Sequence, residues 1–259
     1  YTGRYTTVKE YTRRFRRKRK RMYHELSFLP GEEAQVDWMQ RRFSFGVVYG
    51  FVFILSYSRY LYARFYPRQS MEFFLEGHME AYKEISGIPH QGRYANLKSV
   101  VIKRKPEIVL NTQFLDFARH YGFSVYPCTP GRANEKGRVE RVIQDIGHFL
   151  TADAFTDMND LNRKLTLWRT ERNGKVHRTT GKTPREMLQE EKLKTLPQLS
   201  YKACRMQTGM VSPTGFIRLE TNRYSVPSAY SHQPATLVIH PRLIASVIRH
   251  RVVATHQRA

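Results

Sequence analysis

Cysteine is nearly absent from this sequence, and no apolar run is long enough to cross a bilayer. Cys128 and Cys204 are its two cysteines, set in unrelated segments. A disulfide framework and a cysteine-built zinc site are both excluded, and a reducing compartment is expected. The longest apolar run, Val47 to Leu55, falls far short of the ~20 residues that a spanning helix needs. No signal peptide is expected, and the protein reads as soluble and cytoplasmic. Acidic residues are scarce as well: 22 Asp and Glu stand against 44 Lys and Arg, a formal charge of +22. Such an excess disfavours compaction by self-repulsion and attracts polyanions. Nucleic acid is the expected partner, with an anionic membrane surface as the alternative.

What is present supports a packed interior, since 41% of the 259 residues are hydrophobic. The chain opens at Tyr1 inside a helix-like pattern and is read as part of a longer protein. Thr6 and Thr7 are placed to cap a helix carrying Val8, Tyr11 and Phe15 at helical spacing. From Arg13 to Arg21 every residue except Phe15 is basic. One account is a solvated charge run. The better one is the end of a helix-turn-helix domain, residues 1–29, running into a linker that tracks phosphates. Its candidate DNA contacts are Thr7, Lys9, Arg13, Arg14, Arg16, Arg17, Lys18 and Arg19.

Pro30-Gly31 marks a boundary. Strands are expected at Ala34 to Trp38, Val47 to Leu55 and Tyr60 to Tyr66, all rich in β-branched and aromatic residues. Ser70 opens a helix that Gly87-Ile88-Pro89 ends, and Asn111 opens another that Gly122 stops. A short extended piece through Arg93-Tyr94-Ala95 lies between them, and Phe123 to Tyr126 is a further strand. A helix from about Glu135 to Leu150 buries Val139, Val142, Ile143 and Ile146. This order predicts an α/β sheet domain. Helices near Met158 to Glu171 and Thr183 to Glu191 follow, then short strands beyond Met206 that predict a small all-β barrel. Thr183-Pro184-Arg185-Glu186 reads as a capping box. A phosphate loop at Gly181-Lys182-Thr183 is excluded, because its first glycine would be residue 176, which is Val.

Two carboxylates stand out. Asp37 lies within Ala34-Gln35-Val36-Asp37-Trp38, where a charge is costly unless paired or bound to a metal, or else exposed at a strand end. Glu140 sits one residue from the stripe position Val139, flanked by Arg138 and Arg141, and by itself reads as readily as a helix-surface ion pair. Glu135 is a rival, but its place at the helix start is explained by the macrodipole.

Asp37 followed by Pro127 to Arg141, with its Glu-Lys-Gly-Arg-Val-Glu-Arg, resembles the retroviral integrase and DDE transposase superfamily. More narrowly, Pro30 to Trp38, Tyr94-x-Asn96-Leu97-Lys98, His177 to Pro184 and Tyr224-Ser225-Val226-Pro227 resemble the IstA transposases of bacterial insertion sequences. The resemblance implies a ribonuclease-H-like catalytic core at 30–155, a helical extension at 156–204 and a C-terminal β-barrel at 205–259. It implies that Asp37 and Glu140 are the first and last residues of an acidic triad that binds metal, with the middle Asp expected where this sequence has Ala95. Two Mg2+ or Mn2+ ions per site, hydrolysis followed by transesterification, transposon-end and target DNA, a homo-oligomer on paired ends and an ATPase helper follow from the same resemblance, as does association with the bacterial nucleoid.

Two close-set dications need several carboxylates to offset their repulsion, so Ala95 predicts a chain that binds DNA and is nearly inactive. Asp116, the nearest later Asp, lies in a helix interior and is no substitute. Asn96, Lys98, Arg132, Asn134, Lys136, Arg138 and Arg141 are the candidate phosphate contacts around the site, and Lys202, Arg205, Arg218, Arg223, Arg249 and Arg251 give the barrel a basic surface. The alternatives are another nuclease on the same fold, such as a junction resolvase, and a non-enzymatic DNA-binding protein derived from a transposase.

Overall fold

The computed structural model describes residues 8–12, 26–94, 97, 99–103, 107–129 and 136–258. Three long antiparallel strands open the core: β1 (Glu33–Phe43), β2 (Gly46–Leu55) and β3 (Leu61–Tyr66). Helix α1 (Met71–Glu84) leads to β4 (Gln91–Tyr94), and a small hairpin of β5 (Val101–Lys103) and β6 (Val109–Leu110) follows. Helix α2 (Thr112–Tyr121) then leads into β7 (Ser124–Pro127). The main sheet has the order β3-β2-β1-β4-β7, with β4 parallel to both β1 and β7. Antiparallel pairing runs ten residues deep between β1 and β2, from Ala34↔Leu55 to Phe43↔Gly46. Strand β1 is thus longer than the sequence pattern indicates. Its polar end, Gln40 to Arg42, is exposed and is carried by the ladder alone.

Both faces of the sheet are covered, and side-chain alternation decides what goes where. Val36, Trp38, Phe51, Phe53 and Tyr62 face α1 and α2 in an aromatic core with Phe74, Tyr82, Phe114 and Phe117. The residues between them, Met39, Val52, Ile54 and Phe65, face α3 (Gly137–Ala152) and α4 (Met158–Gly174) through Val139, Val142, Ile146, Leu161 and Leu165. The edge strand β3 is sealed by α4. Asn162 donates to Phe65 O at 3.0 Å and accepts from its N–H at 2.8 Å. Asn173 does the same for Leu61 at 2.9 and 3.0 Å. Unpaired edge groups are therefore occupied. The expected boundary at 155/156 falls between α3 and α4, which share one core.

Local signals hold at several ends. Asn111 accepts from the N–H groups of Gln113 and Phe114, and Gly122 closes α2 at φ 69°. Thr183 and Glu186 form a reciprocal capping box, although that helix, α5 (Pro184–Leu188), stops short of Glu191. Glu191 instead accepts from the backbone N–H of Gly31 and, at 3.0 Å, of Ser58. Gly31 has φ 76°, and a Cβ there would meet the carbonyl of Lys192 at 2.1 Å, so this junction requires glycine.

Six strands form an all-β C-terminal module: β8 (Arg205–Met210), β9 (Phe216–Leu219), β10 (Asn222–Ser225), β11 (Pro234–Ile239), β12 (Leu243–Ile248) and β13 (Arg251–Gln257). The four-stranded sheet β13-β12-β11-β8 and the β9-β10 hairpin close on one core of Ile217, Leu219, Tyr224, Leu237, Ile239 and Ile244. Among the described residues no helix is long and apolar enough to cross a membrane.

Candidate active site

Asp37 shares its strand face with Gln35 and Met39. Met39 packs in the core beneath α3, and Gln35 Oε1 accepts a hydrogen bond from the backbone N–H of Val139 at 3.2 Å. The residue after Val139 is Glu140. The bond sets the first turn of α3 against β1, and Glu140 there lies within electrostatic range of Asp37. Glu140 is exposed and Asp37 half-buried.

Burial is the largest influence on the Asp37 carboxyl and pushes its pKa above the ordinary value. The Trp38 backbone N–H, 2.8 Å from Oδ1, and the nearby Lys136 ammonium pull it back down, while the Glu140 charge raises it further. The two carboxylates are thus close enough to repel, and a cation bound by them would offset both burial and repulsion.

The strand that leads to position 95 is firmly held. Glu33, whose side chain is fully buried, accepts from Arg93 Nε at 2.6 Å and from Ser56 Oγ at 3.0 Å. Tyr94 pairs with Val36 and ends β4. Its hydroxyl meets His78 Nε2 at 3.1 Å, while His78 Nδ1 donates to Phe74 O at 2.7 Å. Sequence reasoning misses Glu33 and His78 as supports of the site. The alternating pattern of β1 marks Glu33 as inward-facing, and the apolar stripe of α1 does the same for His78.

Ala95, Asn96, Lys98, Arg132, Asn134 and Glu135 lie outside the described residues, as do Thr7, Arg13, Arg14, Arg16, Arg17, Lys18 and Arg19. Lys9 is exposed on a helical segment at 8–12. Among the described residues no three His, Cys, Asp or Glu side chains gather as a metal-binding group. The donor chemistry of Asp37 and Glu140 fits one hard divalent cation. Asp116 is committed elsewhere, accepting from Tyr201 Oη at 2.9 Å.

Two expectations about free basic residues change. Arg138 donates to Leu26 O at 2.7 Å and stacks over the Phe28 ring at 4.0 Å, so part of its guanidinium is engaged within the chain. Arg205 is not open barrel surface: it bonds the buried Glu72 at 2.7 Å and Glu220 at 2.9 Å. Arg141, Lys202, Arg218, Arg223, Arg249 and Arg251 are exposed.

A mixed five-stranded sheet in the order β3-β2-β1-β4-β7 with helices on both faces defines a ribonuclease-H-like fold of the integrase-core type. A chain of the simian T-cell lymphotropic virus intasome, solved in complex with the PP2A regulatory subunit B56 gamma, shares this fold. Its TM-score is 0.52 at 14% identity, over 89% of this chain and 77% of that one. Residues 196–259 match the family model of the Mu transposase C-terminal domain.

In sequence the chain is related to the transposases of bacterial insertion sequences. The IS5376 protein of Geobacillus stearothermophilus, assigned as a transposase, is 38% identical over 212 residues, 78% of this chain and 52% of that protein. A transposase of Aminobacter aminovorans is 29% identical over 283 residues, 100% of this chain and 54% of that protein. The chain spans about half the length of these relatives.

Proposed function

We propose that this chain is the catalytic and C-terminal part of an insertion-sequence transposase of the DDE type. In this reading it cleaves transposon ends and joins their 3′ ends to target DNA. The observation that carries the reading is the charge interaction between Asp37 on β1 of an integrase-type sheet and Glu140 in the first turn of α3. Both would hold a divalent cation, Mg2+ or Mn2+, which when bound supplies Lewis-acid activation of a water or of a DNA 3′-hydroxyl. Asp37 would contribute a half-buried carboxylate, whose ionised form a bound cation would favour. Glu140 contributes a second oxygen donor from a helix fixed to β1, and Lys136 lies near enough to steer a phosphate toward the pair.

With Ala95 at the middle acidic position, the chain has two donors where two ions need more, and we assign it strongly reduced catalysis with DNA binding retained. The formal charge of +22 supports DNA as partner. The resemblance to transposases supports a homo-oligomer on paired ends and an ATPase helper. Ala95 also favours a second reading, a transposase-derived protein that binds DNA without cutting it. Strand transfer with oligonucleotide ends and Mg2+ or Mn2+ separates the two. This chain is expected to be nearly inactive, Ala95→Asp active, and Ala95→Asp with Glu140→Gln inactive again. An Ala95→Asp variant that binds DNA normally and transfers nothing rejects the enzyme assignment.

A further inference from the structure

Beside the acidic pair, a second face of α3 presents Arg138, Arg141 and Asp145 at helical spacing. This face forms one wall of an open cavity of about 370 Å3. The turn between β2 and β3 adds Arg59, α4 adds Arg172, and the segment after α4 adds His177 and Arg178. Five guanidiniums thus line one space, and none of the described residues that line it is acidic. Asp145 on α3 pairs with Arg172 at 3.4 Å.

Crowding like charges is unfavourable unless an anion joins them. Among the described residues Arg138 Nη1 has no hydrogen-bond partner, so the charge of this half-buried guanidinium is not offset by a carboxylate there. The loop that carries Arg178 is closed on itself: His177 N–H donates to Lys182 O at 3.0 Å, and Gly181 N–H donates to His177 O at 2.9 Å. The backbone that carries Arg178 is therefore fixed. Burial, then the Arg59 and Arg172 charges, lower the pKa of His177, so the cavity already disfavours a further positive charge.

We propose that this cavity binds a backbone phosphate of a DNA strand, holding the strand beside Asp37 and Glu140. Guanidiniums arranged around one space match the geometry of phosphate oxygens. The cavity's preference for an oxyanion stands on its own residues, while DNA as the source of the phosphate rests on the function proposed above.

Arg141 and Arg178 are exposed, so both can be replaced without disturbing the core. The test measures fluorescence anisotropy of a labelled DNA duplex across a range of NaCl concentrations, using the whole chain, Arg141→Gln, Arg178→Gln and the double variant. Arg163→Gln removes the same charge from an exposed position on α4 away from the cavity and serves as control. Each cavity variant is expected to weaken binding roughly two- to tenfold, whatever the duplex sequence. Each should also flatten the slope of log affinity against log salt by about 0.9 for every phosphate that is no longer neutralised. The control should keep the slope.

Unchanged slopes in all three cavity variants overturn the proposal and leave the transposase reading standing. If inorganic phosphate raises the thermal midpoint of the chain but not of Arg178→Gln, while the DNA slopes match, the cavity is a small-anion site and the proposal is also overturned. A chain that binds no duplex at all overturns both readings.

Discussion

Gln35 and Val139 are joined by a 3.2 Å hydrogen bond between the side-chain Oε1 of the first and the backbone N–H of the second. Both residues are buried, so the bond registers the first turn of α3 against β1 in the absence of competing water. Gln35 also donates to Glu33 Oε1 at 3.2 Å, linking that registration to the Arg93 ion pair on β4. Gln35→Leu keeps the volume but leaves an amide N–H of α3 and one donor to Glu33 unmade. It is expected to cost about 1–3 kcal/mol in urea unfolding. It should also weaken Mn2+ binding by the chain roughly tenfold, as removal of a supporting hydrogen bond behind a metal ligand does. Unaltered Mn2+ affinity in a folded variant would mean that the bond stabilises without positioning.

The raised pKa of Asp37 sets a pH dependence whose sign is fixed. The folded chain keeps a proton on Asp37 at pH values where the unfolded chain has lost it. Folding stability therefore falls as pH rises from the ordinary value of 3.8 through the raised one. Asp37→Asn should abolish that part of the slope. Glu140→Gln removes a charge that raises the Asp37 pKa and should narrow the interval. Divalent cations act oppositely, since they bind the ionised form and release the proton. Urea midpoints between about pH 4 and 7, with and without Mn2+, read all three effects. A cation effect of equal size in Asp37→Asn would place the bound ion elsewhere.

Much of this arrangement is legible in the sequence, and the remainder is not for identifiable reasons. Asn111, Gly122 and the Thr183–Glu186 capping box are local devices, complete within a few residues, and they appear as their spacing implies. Asp37 announces itself because a carboxylate among Val36, Trp38 and Met39 has to be explained. The arginine cavity draws on Arg59, Arg141, Arg172 and Arg178 from four separate stretches, and only tertiary packing assembles it. Arg205 misleads as surface charge for the same reason, because its partner Glu72 lies far back in the sequence on α1.

His78 gives a pH dependence of the opposite sign. It is fully buried among Phe51, Phe74, Tyr94, Phe114 and Phe117, and burial lowers its pKa to about 3. The unfolded chain protonates near the ordinary value of 6.5 and the folded chain does not. The contribution of His78 is thus complete above 6.5 and is lost as pH falls toward about 3. His78→Phe retains the ring but strands the Tyr94 hydroxyl, costing about 1–3 kcal/mol at neutral pH. The wild-type minus variant difference should shrink as pH drops. A difference constant with pH would show that His78 titrates in the folded protein as it does in the unfolded one.

The C-terminal module is clamped to the sheet domain by charge. Glu72 on α1, with no exposed side-chain surface, meets Arg205 at 2.7 Å and Arg258 at 3.7 Å, and Glu220 bridges Arg68 and Arg205 at 2.8 and 2.9 Å. Removing the one buried carboxylate leaves two guanidiniums facing it. Breaking a fully buried pair costs ~3–5 kcal/mol. Arg205 is 33% exposed and keeps Glu220, so Glu72→Gln is expected to cost less, about 2–4 kcal/mol. The outer pair of Arg242 with Glu76, its arginine 56% exposed, should matter little, and Arg242→Ala should cost under ~1 kcal/mol. Urea unfolding measures both variants. Limited proteolysis across residues 196–204, between α5 and β8, should quicken in Glu72→Gln alone. Equal cleavage rates in the two variants would show that apolar contacts, rather than this ion cluster, seat the module on the core.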